Sequence, residues 1–326
     1  MSSTWYRRAL IFPCVVLAAA SLLAAREYQG EFERSLAVTG PVELEVTTGS
    51  GNIEVRAEET SKVRITGRIH VDHRFGADQA EKKIQALENN PPIEQTGNYI
   101  RVGRIADPEL RRHVSINYEL VVPMATQLKS ETGSGDQAIN GVKGPVKAST
   151  GSGNIRLAKV SEESRVDTGS GDIEVSDVAG TLSAGTGSGN IRASGIAAGV
   201  RAHTGSGDIR LEQAANQPVK VETGSGNLEI RGVRSSLYAQ TGSGNITVFG
   251  EPGGDWKLET GSGNATMHLP PQASFNLHAH TGSGSIESSQ PITMQGKLNR
   301  SEWRGTVRNG GPLVDVGTGS GDIHIE

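Results

Sequence analysis

One six-residue phrase, Thr-Gly-Ser-Gly-(Asp or Asn)-Ile, constrains the fold of this chain more than any other feature. Eleven recognisable copies begin at Thr48, Thr132, Thr150, Thr168, Thr186, Thr204, Thr223, Thr241, Thr260, Thr281 and Thr318. From Thr132 to Thr281 the steps are 18, 18, 18, 18, 19, 18, 19 and 21 residues. Self-similarity at such a period is the signature of stacked coils, each burying its apolar side against its neighbours. Because an array grows by adding coils, 326 residues need no second core. The expected fold class is all-β: a parallel β-solenoid (β-helix) of about 18-residue coils, with a β-rich N-terminal cap and one short helix.

The apolar positions keep step with the phrase. Five and seven residues after Thr lie Ile155 and Leu157, Ile173 and Val175, Ile209 and Leu211, Leu228 and Ile230, and Ile246 and Val248. Near offset ten are Val142, Val160, Val178, Ile196 and Val233, and before the next Thr come pairs such as Leu182 and Ala184 or Val200 and Ala202. Period-two alternation turns these residues inward and makes three interior patches. Small residues at the last position predict a narrow interior, and Trp256, where Leu or Val is usual, predicts a wider end. Gly-Ser-Gly suits a tight corner, since glycine takes positive φ freely and Asp or Asn can bond local amides. The corner residue alternates over Asp136, Asn154, Asp172, Asn190, Asp208 and Asn227. Stacking would set these about 4.8 Å apart, so alternation separates the carboxylates. Arg156, Glu174 and Arg192 form a second charge ladder alongside.

The ends depart from the period. Arg7 and Arg8 precede a 17-residue apolar run, Ala9 to Ala25, which reads as an export signal or a retained N-terminal membrane anchor over 1–25. Cys14, the only cysteine, lies in that run, so the rest of the chain has no disulfide or cysteine metal site. Residues 36–131 read as the N-terminal cap, with a short amphipathic helix over Ala77 to Asn89 covering an end of the array. Regular coils span 132–285, and residues 286–326 form C-terminal coils and a cap.

Three stretches resemble a known family. They are Tyr118 to Pro123 leading into Glu131 to Asp136, the repeated phrase itself, and Gly305 to Pro312 followed by Thr318 to Ile323. Together they resemble the exported bacterial "putative adhesin" β-solenoid proteins, a domain of unknown function. The resemblance implies a parallel β-solenoid at the cell envelope and supplies no catalytic residues.

Chemistry in the repeats weighs towards structure. Calcium-binding β-rolls also set Asp in a glycine turn, but here the period is eighteen, six of eleven copies carry Asn, and one carries Ser285. The eleven Gly-Ser-Gly serines lack a nucleophile elbow, and no Gly-Lys-(Ser or Thr) follows to cradle phosphate. His70 and His73 flank Asp72, and His278 and His280 share a strand face. Neither pair shows a third ligand in sequence, so both read as solvated surface and no metal or cofactor is expected. Aromatics are 4% of the chain and net charge is −4, which excludes a nucleic-acid binder.

One row of side chains carries a functional expectation. Three residues before successive Thr fall Lys129, Lys147, Arg165, Arg201, Lys220 and Lys257, interrupted by Ser183 and Tyr238. Stacking would make this a basic stripe, and Glu131, Asp167, Glu222 and Glu259 two residues on turn it into a solvated charge ladder; the functional alternative is a groove for an anionic polymer. The expectation is an exported, non-enzymatic envelope protein with a binding or structural surface, its partner an envelope or extracellular polysaccharide or a surface protein. The alternatives are a polysaccharide lyase or hydrolase, its aromatics Tyr238, Phe249, Trp256 and Phe275 grouped towards the C-terminal coils, and a regulatory envelope protein.

Overall fold

The computed structural model describes residues 28–72, 76–295 and 300–326; the N-terminal apolar run, Cys14 and His73 lie outside them. Each regular coil contributes one strand to each of two facing sheets. One sheet is 15-stranded and holds the segments that end in the phrase, such as Leu182–Ser188; the other is 14-stranded and holds those that begin at its Ile, such as Ile173–Val178. Neighbouring coils pair in parallel with matching offsets, Thr150 against Thr168 and Ile155 against Ile173. The expected parallel β-solenoid is therefore the fold.

The interior has two walls rather than three. Offsets five and seven line one sheet and the residues before Thr line the other, with Ile173, Val175, Leu182 and Ala184 all buried. The offset-ten residues are buried too, but Val160 and Val178 end the same strands as Ile155 and Ile173, so they close an edge and make no third face. Trp256 is 1% exposed and its indole N–H donates to the Ser235 carbonyl at 2.8 Å.

Glycine in the phrase serves two purposes, one of them expected. Its second glycine takes positive φ in the later coils, as at Gly207, Gly226 and Gly244 with φ of 151°, 156° and 149°, and a left-handed position follows at offset nine, where Gly141, Lys159, Asp177, Gly195 and Gly232 have φ of 82°, 55°, 55°, 67° and 75°. In the phrase, a Cβ on Gly171 would sit 2.6 Å from the Gly153 carbonyl carbon and closer still to its oxygen. Successive phrases stack backbone on backbone, leaving no room for a side chain.

Two side-chain ladders run along that seam. Every phrase Thr is buried, and from Thr132 onward its hydroxyl donates to the second-glycine carbonyl of the neighbouring coil, as Thr168 to Gly153 at 2.8 Å and Thr186 to Gly171 at 3.0 Å, while Thr48 donates to the Ile116 carbonyl. The Asp and Asn side chains likewise bond between coils, where local amides were expected. Asp172 Oδ1 accepts from the Asn190 backbone N–H at 2.8 Å and from its Nδ2 at 3.2 Å, and Asn190 Oδ1 accepts from the Asp208 N–H at 3.0 Å. Alternation thus does more than separate charge, because each Asn amide gives the preceding carboxylate a second donor.

Stacking order departs from chain order at both ends. The first phrase coil, Val42–Thr48 and Ile53–Glu58, lies directly on the Thr132 coil, with Thr48 opposite Thr132 and Ile53 opposite Gln137. The strand Leu313–Ser320 of the last coil inserts between Trp256–Ser262 and Phe275–Ser283, so that Thr318 faces Thr260 on one side and Thr281 on the other. Residues assigned by sequence to the two caps therefore include full members of the stack. The physical reason is that every coil offers the same backbone, Thr and Asp/Asn ladders, so a late coil docks in the interior as well as at the end. Its insertion also keeps Asp322 between Asn264 and Ser285, away from another carboxylate.

Antiparallel pieces cover the ends. Glu302–Val307 runs antiparallel to Phe275–Ser283, and Tyr28–Ala37 and Lys62–Val71 extend the other sheet. The helix Ala77–Asn89 packs against these last two strands through Ala80, Ile84 and Leu87, as expected. Gly30 provides the space, since a Cβ there would collide with Ile84. A second, four-residue helix at Pro108–Arg111 carries an Asp107 cap and was not anticipated. Covering the sheet edges limits pairing with other chains.

Candidate functional site

The six cations lie on the solvent side of the 15-stranded sheet, in one register row. Lys129 faces Lys147, which faces Arg165; Ser183 and Arg201 follow, then Lys220, Tyr238 and Lys257. Inward neighbours such as Val146, Ala148, Val219 and Val221 are buried, so alternation forces this row outward. Glu45 continues the row beyond Lys129, and Asp315 and His278 continue it beyond Lys257. All three stand three residues before a phrase Thr, so the same offset marks them in the sequence; gathering cations alone left them out, and the out-of-order coils decide which residues they meet.

Four of the six cations are compensated by the acids two residues on. Arg165 meets Asp167 at 2.9 Å, Lys220 meets Glu222 at 3.1 Å, Lys257 meets Glu259 at 2.9 Å, and Lys129 lies 3.4 Å from Glu131 and 2.6 Å from Glu45. Such exposed pairs contribute little and can exchange partners. Among the described residues no ion pair involves Lys147 or Arg201, whose positions two residues on are Ser149 and His203. Tyr238 stands in the row with the Lys220 ammonium 4.9 Å from its ring centre and the Lys257 ammonium at 6.0 Å.

Glu45 is the most perturbed carboxylate of the row. Hydrogen bonds from Lys129, Tyr99 and Arg101 bring its pKa down to about 2, with the bond from Lys129 the largest cause. The same contact raises the Lys129 ammonium, and hydrogen bonding to Asp167 and Glu259 raises Arg165 and Lys257.

The aromatic residues do not converge. Trp256 and Phe275 are buried, while Phe249 lies on the opposite sheet, stacked on His268 at 4.3 Å and under Arg231 at 4.1 Å. His70 lies near Asn117 at the N-terminal end, beside an open cavity of about 1410 Å³ lined by Arg101, Arg104, Asp72, His113 and Tyr118. Tyr118 is buried with its hydroxyl lacking a hydrogen-bond partner, and burial pushes its pKa well up.

A family model described as Toastrack DUF4097 matches residues 113–200 and 179–326, about two thirds of the chain. The chain belongs to the Toastrack DUF4097 family. The Toastrack matches cover the regular coils and the inserted C-terminal coil alike. Solved structures similar to this Toastrack chain include a "putative lipid binding protein" from Parabacteroides distasonis, 13% identical with a TM-score of 0.42, covering 90% of this chain and 96% of that one. Another is a "putative adhesin" from Bacteroides fragilis, 12% identical, TM-score 0.28, covering 91% and 97% respectively. A "putative cell adhesion protein" from Clostridium sporogenes is 10% identical, TM-score 0.20, over 91% and 99%. At those values nothing about a ligand follows. Comparison with curated protein sequences gives no significant match. No helix among the described residues is long and apolar enough to cross a membrane.

Proposed function

We propose that this Toastrack protein is an exported, non-catalytic cell-envelope solenoid whose cationic row binds anionic envelope or extracellular polysaccharide. The supporting observation is the row itself. It presents cations at the strand spacing, with Lys147 and Arg201 lacking acidic partners among the described residues and Arg165, Lys220 and Lys257 held by solvent-accessible pairs that an anionic polymer can displace, while Lys129 stays engaged by Glu45. Tyr238, set between Lys220 and Lys257, adds an apolar ring against which a sugar can stack.

The test uses the full chain against a panel of anionic polysaccharides, scored for both binding and cleavage. Binding falls with added salt, because at 0.15 M screening limits exposed charges to about 8 Å. Lys147→Gln, Arg165→Gln, Arg201→Gln and Lys220→Gln combined abolish it while the circular dichroism stays unchanged. Binding that survived both treatments would remove the row from consideration. Cleavage of the polymer would establish the lyase or hydrolase alternative, and capture of a protein partner alone would establish the regulatory one.

A further inference from the structure

Where the last coil inserts, it completes a ligand set that neither part of the chain holds alone. His278 and His280 project outward from Phe275–Ser283. The inserted strand places Asp315 opposite His278 and Gly317 opposite His280, while Glu302–Val307 on the other side places Glu302 opposite His280. One ligand atom each from His278, His280 and Asp315 lie within 4.8 Å of one another. His278 Nδ1 is 2.8 Å from Asp315 Oδ1, and His278 Nε2 is 3.4 Å from Glu302 Oε1.

Two further observations separate this group from an ordinary surface pair of histidines. Gly317 occupies the offset where other coils carry Glu131, Asp167, Glu222 or Glu259, and a Cβ there would lie 2.5 Å from His280 Nε2. The His280 imidazole therefore lies over the inserted strand at Gly317, where a side chain would contest its position. Asp315 Oδ1 is shut off from solvent and, although close to His278, accepts no aligned hydrogen bond. A shielded carboxylate oxygen beside two imidazoles is short of a cation. Nearby Lys257 is engaged by Glu259, and Arg304 by Glu302.

We propose that His278, His280 and Asp315 form a zinc-class divalent metal site that fastens the inserted C-terminal coil to the end of the stack. Two imidazoles and one carboxylate suit Zn²⁺, with water as fourth ligand; tetrahedral ligands sit about 3.3 Å apart at bond lengths of about 2.0 Å. His280, the exposed member, has to shift to bring ligand atoms that lie within 4.8 Å to that spacing. Oxygen-seeking Ca²⁺ and Mg²⁺ do not suit this donor set. The site ties Phe275–Ser283 to Leu313–Ser320, so binding is linked to the insertion itself.

The experiment is calorimetric titration of ZnCl₂ into the chelator-treated full chain, with Co²⁺ absorption as a readout of tetrahedral coordination. Amide exchange across Leu313–Ser320 follows the fastening. The expected result is one equivalent bound on the order of micromolar or tighter, a tetrahedral Co²⁺ spectrum, and slower exchange in that strand with zinc. His280→Gln and Asp315→Asn each weaken binding by roughly 10- to 100-fold or more, a loss seen even when only a residue hydrogen-bonded to a metal ligand is changed. His203→Gln, two residues after Arg201 on a regular coil, leaves binding unchanged. If Asp315→Asn fails to fold, His280→Gln decides the matter, since that ring is exposed. Absence of zinc binding in the wild type, or equal binding in His280→Gln, overturns the proposal.

Discussion

Replacing Thr186 by Val isolates the hydroxyl ladder in the middle of the array. Thr186 is 4% exposed and donates to the Gly171 carbonyl at 3.0 Å. Valine keeps the branched shape and removes the donor. The loss comprises one hydrogen bond and a buried carbonyl left without its hydroxyl, about 1 to 3 kcal/mol. The extra buried methyl returns up to about 0.8 kcal/mol, so Thr186→Val destabilises by about 0.2 to 3 kcal/mol, with a middle value of about 1.5. Thr186→Ser keeps the donor and loses a methyl, costing about 1 kcal/mol. Thr186→Ala loses both and costs the most. Urea unfolding followed by circular dichroism gives the global values, and amide exchange shows whether loosening concentrates at the Thr168, Thr186 and Thr204 coils, as nearest-neighbour energetics require. A Thr186→Val protein at least as stable as wild type would refute a stabilising role for the ladder.

Truncating Ile173, fully buried, to Ala costs about 2 to 5 kcal/mol through lost burial and a cavity, whereas Asp172→Asn costs under about 1 kcal/mol because the new amide oxygen still accepts from Asn190; urea midpoints compare the two. Gly171→Ala meets the Gly153 backbone, which cannot yield as a side chain does, and costs about 3 kcal/mol or more, while Ser170→Ala beside it changes melting little. Glu45 has a folded pKa of about 2 against about 4.3 unfolded, so its contribution is complete above about pH 4.3 and is lost as pH falls towards 2. Glu45→Gln accordingly destabilises at pH 7 by about 1 kcal/mol, discounted for the solvent that reaches Lys129, and the difference from wild type disappears in acid titration monitored by circular dichroism.

The eighteen-residue period was enough to determine parallel stacking, the buried faces and the cationic row. Each of these depends on a residue and its counterpart one coil away, and a repeat makes that distance visible in the chain. The alternation of Asp and Asn was legible for the same reason, although its full cause, an Asn amide donating to the carboxylate beneath, appeared only in three dimensions. Positive φ at the second glycine of the phrase was legible, as Gly207 and Gly226 show, whereas the backbone approach between coils that also demands glycine leaves no local trace. The left-handed corner at Lys159 was hidden by a residue type that seldom marks one.

Only the tertiary structure decided where the terminal coils dock. Each coil presents nearly identical ladders, so periodicity states that Thr318 will stack without stating on what; strand pairing with both Thr260 and Thr281 resolves it. That choice brings Asp315 to His278 across 37 residues of chain, and it leaves the third ligand beyond the reach of a sequence in which His278 and His280 stand alone. A repeat encodes what each coil does with its neighbours, whereas the identity of the neighbour at an end depends on the competition between equivalent edges.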